Sequence, residues 1–167
     1  DEHLEPNVPS VEHRVAVFKK LSDMIGLDKV IWRFDPLIVT PDITPRKLLT
    51  RIWHIGNMLK GYTDKLVFSF VDVKTYRKVQ NNLIKETGLY TRETVENAEP
   101  SQSQIDELVD GLTKCRDAWH QQGWHVQLAT CGEKIDLDKY SIEHNRCIDV
   151  NLTCLAIFQS FLKSVRI

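Results

Sequence analysis

The sequence predicts an α/β fold, a parallel three-stranded sheet with crossover helices that makes a partial, TIM-barrel-like segment. Three observations carry this. Short apolar runs bounded by turn residues have the pattern of strands buried on both faces. Stretches of helical period separate those runs. Their alternation implies right-handed crossovers between parallel strands. Three strands cannot close an eight-stranded barrel, so the sheet is expected to be open or completed by other chain.

The first helix covers residues 10–25, where Val11, Val15, Phe18, Leu21 and Ile25 recur at helical spacing and Gly26 suits the C-terminal cap. Residues 29–35 form the first strand, with Asp35 at its tip and Pro36 as terminator. Thr44 and Pro45 have the form of an N-cap and first helical residue, ahead of Leu48, Ile52, Ile55 and Leu59, with Gly61 as the stop. A second strand spans residues 66–72. A long polar insertion at 73–100 follows, with an amphipathic piece near 76–85; its length suits a lid or binding loop. Ser103 is read as the cap of a third helix bearing Ile105, Leu108, Leu112, Cys115 and Trp119, ended by Gly123. The third strand is 126–131, residues 132–149 read as irregular, and a last amphipathic helix covers 155–165. The whole of 1–167 is taken as a single α/β domain. The four tryptophans read as core or boundary residues.

Composition narrows the function classes. Lys and Arg number 22 against 23 Asp and Glu, a formal net charge of -1 that offers no bulk field for nucleic acid or an anionic membrane. No apolar stretch approaches the roughly 20 residues of a membrane span, and the N-terminus has no secretion signal. The four cysteines are too few and too widely spaced for a secreted disulfide scaffold, so reduced thiols in a cytoplasmic protein are expected. The Gly-rich phosphate loop, His-Glu-x-x-His and Gly-x-Ser-x-Gly are all missing, so hydride-transfer, P-loop and α/β-hydrolase readings lack their motifs.

In parallel sheets the loops leaving the C-terminal strand ends surround the functional mouth. The candidate ligand-binding cleft there comprises Arg33, Asp35, Ser69, Asp72, Lys74 and Glu133. Its chemistry suits a cation, a polar small molecule or a metal cluster. The plain alternative is an ion-pair plug, in which Arg33 pairs with Asp35 or Asp72 and seals the sheet end. Cys131, His144 and Cys147 form a second constellation of thiolate and imidazole ligands, weaker than a Cys-x-x-Cys pair. Cys115 and Cys154 read as core. Lys74, Arg77 and Lys78 around Tyr76 suit either a bound phosphate or carboxylate, or a solvated helix face.

Several blocks resemble a known family. They are Glu5-Pro6-Asn7-Val8-Pro9, Val30-Ile31-Trp32-Arg33-Phe34-Asp35-Pro36 and Phe68-Ser69-Phe70-Val71-Asp72, together with Cys131-Gly132-Glu133-Lys134-Ile135-Asp136-Leu137 and His144-Asn145-Arg146-Cys147-Ile148-Asp149. From about Glu5 to Asp149 the chain is similar to an uncharacterised bacterial family, domain of unknown function 1848. Its members resemble radical S-adenosylmethionine barrels with a Cys-x-x-x-Cys-x-Tyr-Cys motif near the C-terminus. The resemblance implies an iron–sulfur enzyme of unknown substrate. This chain lacks the cluster motif and corresponds to an internal to C-terminal part of such a protein. It is therefore expected to be inactive alone and to purify colourless and iron-free. No cofactor is expected in this chain; the cluster and S-adenosylmethionine are implied for full-length members only. Competing readings are a non-catalytic small-ligand or metal-binding module, and a structural half-barrel that self-associates. The expected partners are an unknown small molecule and a second copy of the chain, with neither nucleic acid nor membrane.

Overall fold

The computed structural model of the protein describes residues 8–132 and 135–145. Helix α1 (Val11–Ile25) precedes strand β1 (Trp32–Leu37), and α2 (Pro45–Leu59) leads to β2 (Lys65–Phe70). Then come α3 (Arg77–Thr87), α4 (Gln102–Gln121), β3 (Gln127–Cys131) and β4 (Ile142–Asn145). The expected helix over 155–165 lies outside the described residues. All neighbouring strand pairs are parallel and the order is sequential, β1-β2-β3-β4.

Among the described residues the sheet therefore has four strands, not three. The fourth falls in the stretch that reads as irregular, because Ile142-Glu143-His144-Asn145 has one apolar residue and no β-branched run. Its extended form comes from the ladder it makes with β3. The four strands do not close into a barrel.

Two boundaries also move. β1 starts later than expected and runs on through Pro36, whose peptide with Asp35 is cis. Phe34 pairs with Phe68 and Leu37 with Phe70, so Asp35 and Pro36 together oppose Ser69 in a bulge. Proline, lacking an N–H, is tolerated at bulges and on edge strands, and β1 is both bulged and at the edge of the described sheet. The cap of α4 is Ser101, not Ser103: Ser101 Oγ accepts from Gln104 N while Gln104 Oε1 accepts from Ser101 N, a complete capping box. The Thr44 cap and Pro45 stand as the sequence implies, with Thr44 Oγ1 accepting from Lys47 N.

Side chains alternate along each strand, which divides the sheet into two chemically different faces. Trp32, Leu66, Phe68, Leu128 and Ile142 share one core with Val15 of α1, Leu48 and Ile52 of α2, and Leu108, Leu112 and Trp119 of α4. Helices α1, α2 and α4 thus cover one and the same face of the sheet. Trp119, fully buried, anchors that layer: it stacks on Trp53 with ring centroids 5.3 Å apart and donates to Asn57 Oδ1 at 3.0 Å. Trp124 donates to the Thr63 carbonyl at 2.7 Å, and Trp32 lies 6.2 Å from Trp119, so three of the four tryptophans are buried core and Trp53 packs at its border.

The opposite face carries the layer Arg33, Val67, Ala129 and Glu143, matched by register, with Asp35, Ser69, Cys131 and Asn145 one step nearer the strand ends. α3 and the 3-10 turn Val95–Ala98 form a smaller apolar cluster with Val71 and Val73, so the long insertion has its own packing beyond the end of β2.

Candidate functional site: a cleft at the strand ends

Parallel pairing brings the carboxyl ends of β1, β2 and β3 side by side, about 4.8 Å between neighbours. There, Asp35, Ser69, Asp72, Lys74 and Cys131 line one cleft of about 620 Å³. Tyr76 and Glu99 complete its polar rim, and Val79, Ile105 and Ile135 give it apolar wall.

Arg33 lies beneath this group rather than in its wall. Its guanidinium donates to Asp35 and to the Cys131 sulfur, crossing above β2 on the sheet face opposite α1, α2 and α4. The Cys131 contact, followed by the Asp35 contact, pushes the Arg33 pKa above its already high ordinary value. A cation held this way neutralises Asp35 and sets a positive charge beside a half-buried thiol. The arrangement combines features of both sequence readings: Arg33 is paired with a carboxylate as a plug would be, yet an open cleft lies above the pair.

The loop after β2 is tightly ordered by two carboxylates. Asp72 Oδ1 accepts from Thr75 N at 2.9 Å, turning the chain. Glu99 Oε1 accepts from the backbone N–H groups of Val73 at 3.0 Å and Lys74 at 2.7 Å, and Glu99 Oε2 pairs with Lys74 Nζ at 2.9 Å. Burial works to raise the Glu99 pKa, but Lys74 and the two N–H groups outweigh it and hold the carboxyl below its ordinary value. The same pair raises the Lys74 pKa. Sequence reading does not find Glu99, because 25 residues separate it from Lys74 and no local pattern links the two.

The other candidates are divided. His144 pairs in register with Thr130 and Cys131 with Asn145, so His144 and Cys131 face opposite sides of the sheet and do not converge. Cys147 and Glu133 lie outside the described residues. Among the described residues no group of three or more His, Cys, Asp or Glu side chains is placed to hold a metal ion. Cys115 sits half-buried on α4, where burial pushes its thiol pKa up. Arg77 and Lys78 open α3 on exposed positions. No helix among the described residues is long and apolar enough to cross a membrane.

No curated protein and no solved structure matches the chain. One family model does, over residues 1–164, in keeping with the strand blocks that build this cleft, and the chain belongs to the family described as Domain of unknown function (DUF1848).

Proposed function

We propose that this chain is a partial barrel whose strand-end cleft binds a small ligand rich in hydrogen-bond donors, an amine or a polyol. The observation that carries it is the convergence of Asp35, Ser69, Asp72 and Cys131, from three adjacent strand ends, on one cleft of about 620 Å³. Three carboxylates, Asp35, Asp72 and Glu99, face one lining cation, Lys74, and Arg33 adds a second positive charge from below. The rim is therefore acceptor-rich, and an anionic ligand would meet unfavourable charge there.

A radical enzyme of this shape would hold an iron–sulfur cluster through several cysteine thiolates, each a soft ligand to iron. The described residues do not fit that group, since Cys131 is the only cysteine among those lining the cleft. The cleft holds its ligand through these polar groups.

The test is a titration of the protein with small amines, polyols and carboxylic acids, followed by backbone amide NMR. Amines or polyols are expected to shift Ser69, Asp72 and Cys131, and Ser69→Leu, which fills the cleft, to abolish those shifts while leaving the circular dichroism spectrum intact. Selective binding of carboxylic acids, or binding untouched by Ser69→Leu, would sink the reading.

A further inference from the structure

We infer that His120 and His125 form a binding site for a divalent ion of the zinc type, at the end of the sheet opposite the cleft. The inference is independent of the ligand reading. Cys131 of the cleft ends β3, whereas His125 precedes that strand, and at about 3.3 Å per residue the two lie roughly 20 Å apart.

The chain places the two histidines on either side of the turn that ends α4. His120 is in the last turn of the helix, and Gly123, at φ 82°, redirects the chain towards β3. Gly123 N donates to the His120 carbonyl at 2.9 Å, and Trp124 N to the Trp119 carbonyl at 2.9 Å. The neighbours of His125 are both buried: Trp124, held through its indole N–H on Thr63, and Val126. An exposed side chain on so fixed a backbone loses little freedom when it takes a ligand.

The geometry of the pair fits one shared ion. The ring centroids are 5.2 Å apart and the ring planes are tilted by 56°. A zinc ion about 2.05 Å from an imidazole nitrogen stands roughly 3.2 Å from that ring's centroid, so two rings on one tetrahedral ion have centroids about 5.2 Å apart. Nitrogen lone pairs lie in the ring planes, and planes tilted in this way meet where those of parallel, stacked rings do not. The tautomer is set as well. His120 Nε2 lies 2.8 Å from the Val126 carbonyl, which can only accept, so in the neutral ring Nε2 carries the proton and Nδ1 the lone pair. A carbonyl that fixes one ring nitrogen so that the other can bind is the usual support of a metal-bound histidine. The carboxyl end of α4 adds a negative field, which already draws Lys60 Nζ to the Gln122 carbonyl at 3.0 Å.

Imidazole nitrogen suits zinc, nickel and copper, whereas magnesium and calcium take oxygen. Among the described residues no third His, Cys, Asp or Glu joins the pair, so water or an outside ligand fills the remaining positions and the ion exchanges readily.

Titration of the purified, untagged chain with zinc chloride, followed by nitrogen-15 NMR of the imidazoles, tests this. Zinc is expected to shift the His120 and His125 ring signals together and saturably, with those of His13 and His54 in place, and magnesium to move none of them. Before metal is added, His120 should show the Nε2–H tautomer. His125→Gln, at an exposed position, should raise the zinc concentration that half-shifts His120 by roughly tenfold or more, with the circular dichroism unchanged. His120→Gln should do the same to His125. No saturable response of the two rings to zinc, a His120 response undiminished by His125→Gln, or an equal response to magnesium would overturn the inference.

Discussion

Gly56→Ala is expected to destabilise the protein more than a methyl group would elsewhere in its helices. A Cβ built at Gly56 would lie 2.6 Å from Trp119 Cη2 and closer still to Cζ2. Ordinary contact is roughly 3.5–4.0 Å, so the ring or the helix must move by about an ångström. Trp119 has no room to yield. It is fully buried, stacked on Trp53, 5.0 Å from Trp124 and tied to Asn57 by its indole N–H. Overpacking of this kind costs about 1–3 kcal/mol, and loss of the Trp53 stack adds about 0.5–1.5 kcal/mol. Alanine's better helix propensity offsets about 1 kcal/mol. The net loss is about 1–3 kcal/mol, or a fall in Tm of roughly 2–4 °C for each kcal/mol in a chain of this size. Urea unfolding followed by tryptophan fluorescence reads the change. Gly111→Ala provides the comparison: its Cβ would meet Leu49 Cδ1 and lie 2.7 Å from Cδ2, the far end of a flexible, half-buried side chain that can rotate away. That variant should be markedly milder. Equal losses at the two glycines, or a Gly56→Ala protein as stable as the parent, would refute the claim that a rigid tryptophan layer sets the distance between α2 and α4.

Three further outcomes follow from the site and its supports. Iodoacetamide should modify Cys131 faster than Cys115, as followed by peptide mass spectrometry, because burial disfavours the Cys115 thiolate while Arg33 sits beside Cys131; Arg33→Gln should slow Cys131 several-fold, and equal rates at the two thiols would contradict the argument. Glu99 has a depressed pKa in the folded protein, so its contribution is full above the unfolded value of about 4.3 and is lost as pH falls through the lower folded value. The stability gap between the parent and Glu99→Gln should therefore be present at neutral pH and shrink on acidification below that value, and urea midpoints that stay equally separated at both ends would count against it. Ser101→Ala should cost about 1 kcal/mol by removing the α4 cap, whereas Ser103→Ala, away from that cap, should stay within about 0.5 kcal/mol, both read from thermal unfolding.

The α/β class, three of the four described strands and the neighbourhood of Asp35, Ser69 and Cys131 can all be read from the sequence by itself. The cause is local. Buried parallel strands need unbroken apolar runs such as Leu66-Val67-Phe68, helices between them need a 3.6-residue period, and parallel order puts every strand's carboxyl end on one side. The rest depends on partners distant in the chain. β4 becomes a strand only because β3 offers it an edge, and the continuation of β1 through Pro36 depends on the bulge opposite Ser69. The register that turns His144 away from Cys131 is a one-residue matter, and a one-residue difference moves a side chain to the other face. Glu99 holding the loop after β2 and Arg33 reaching across to Cys131 both join groups with no common sequence pattern. Hydrophobic period therefore determined the elements and the end of the sheet at which polar groups gather, since it acts over a few residues. Which of those groups touch was decided only when tertiary packing set register, bulge and helix position, because such contacts depend on distances that local sequence does not encode.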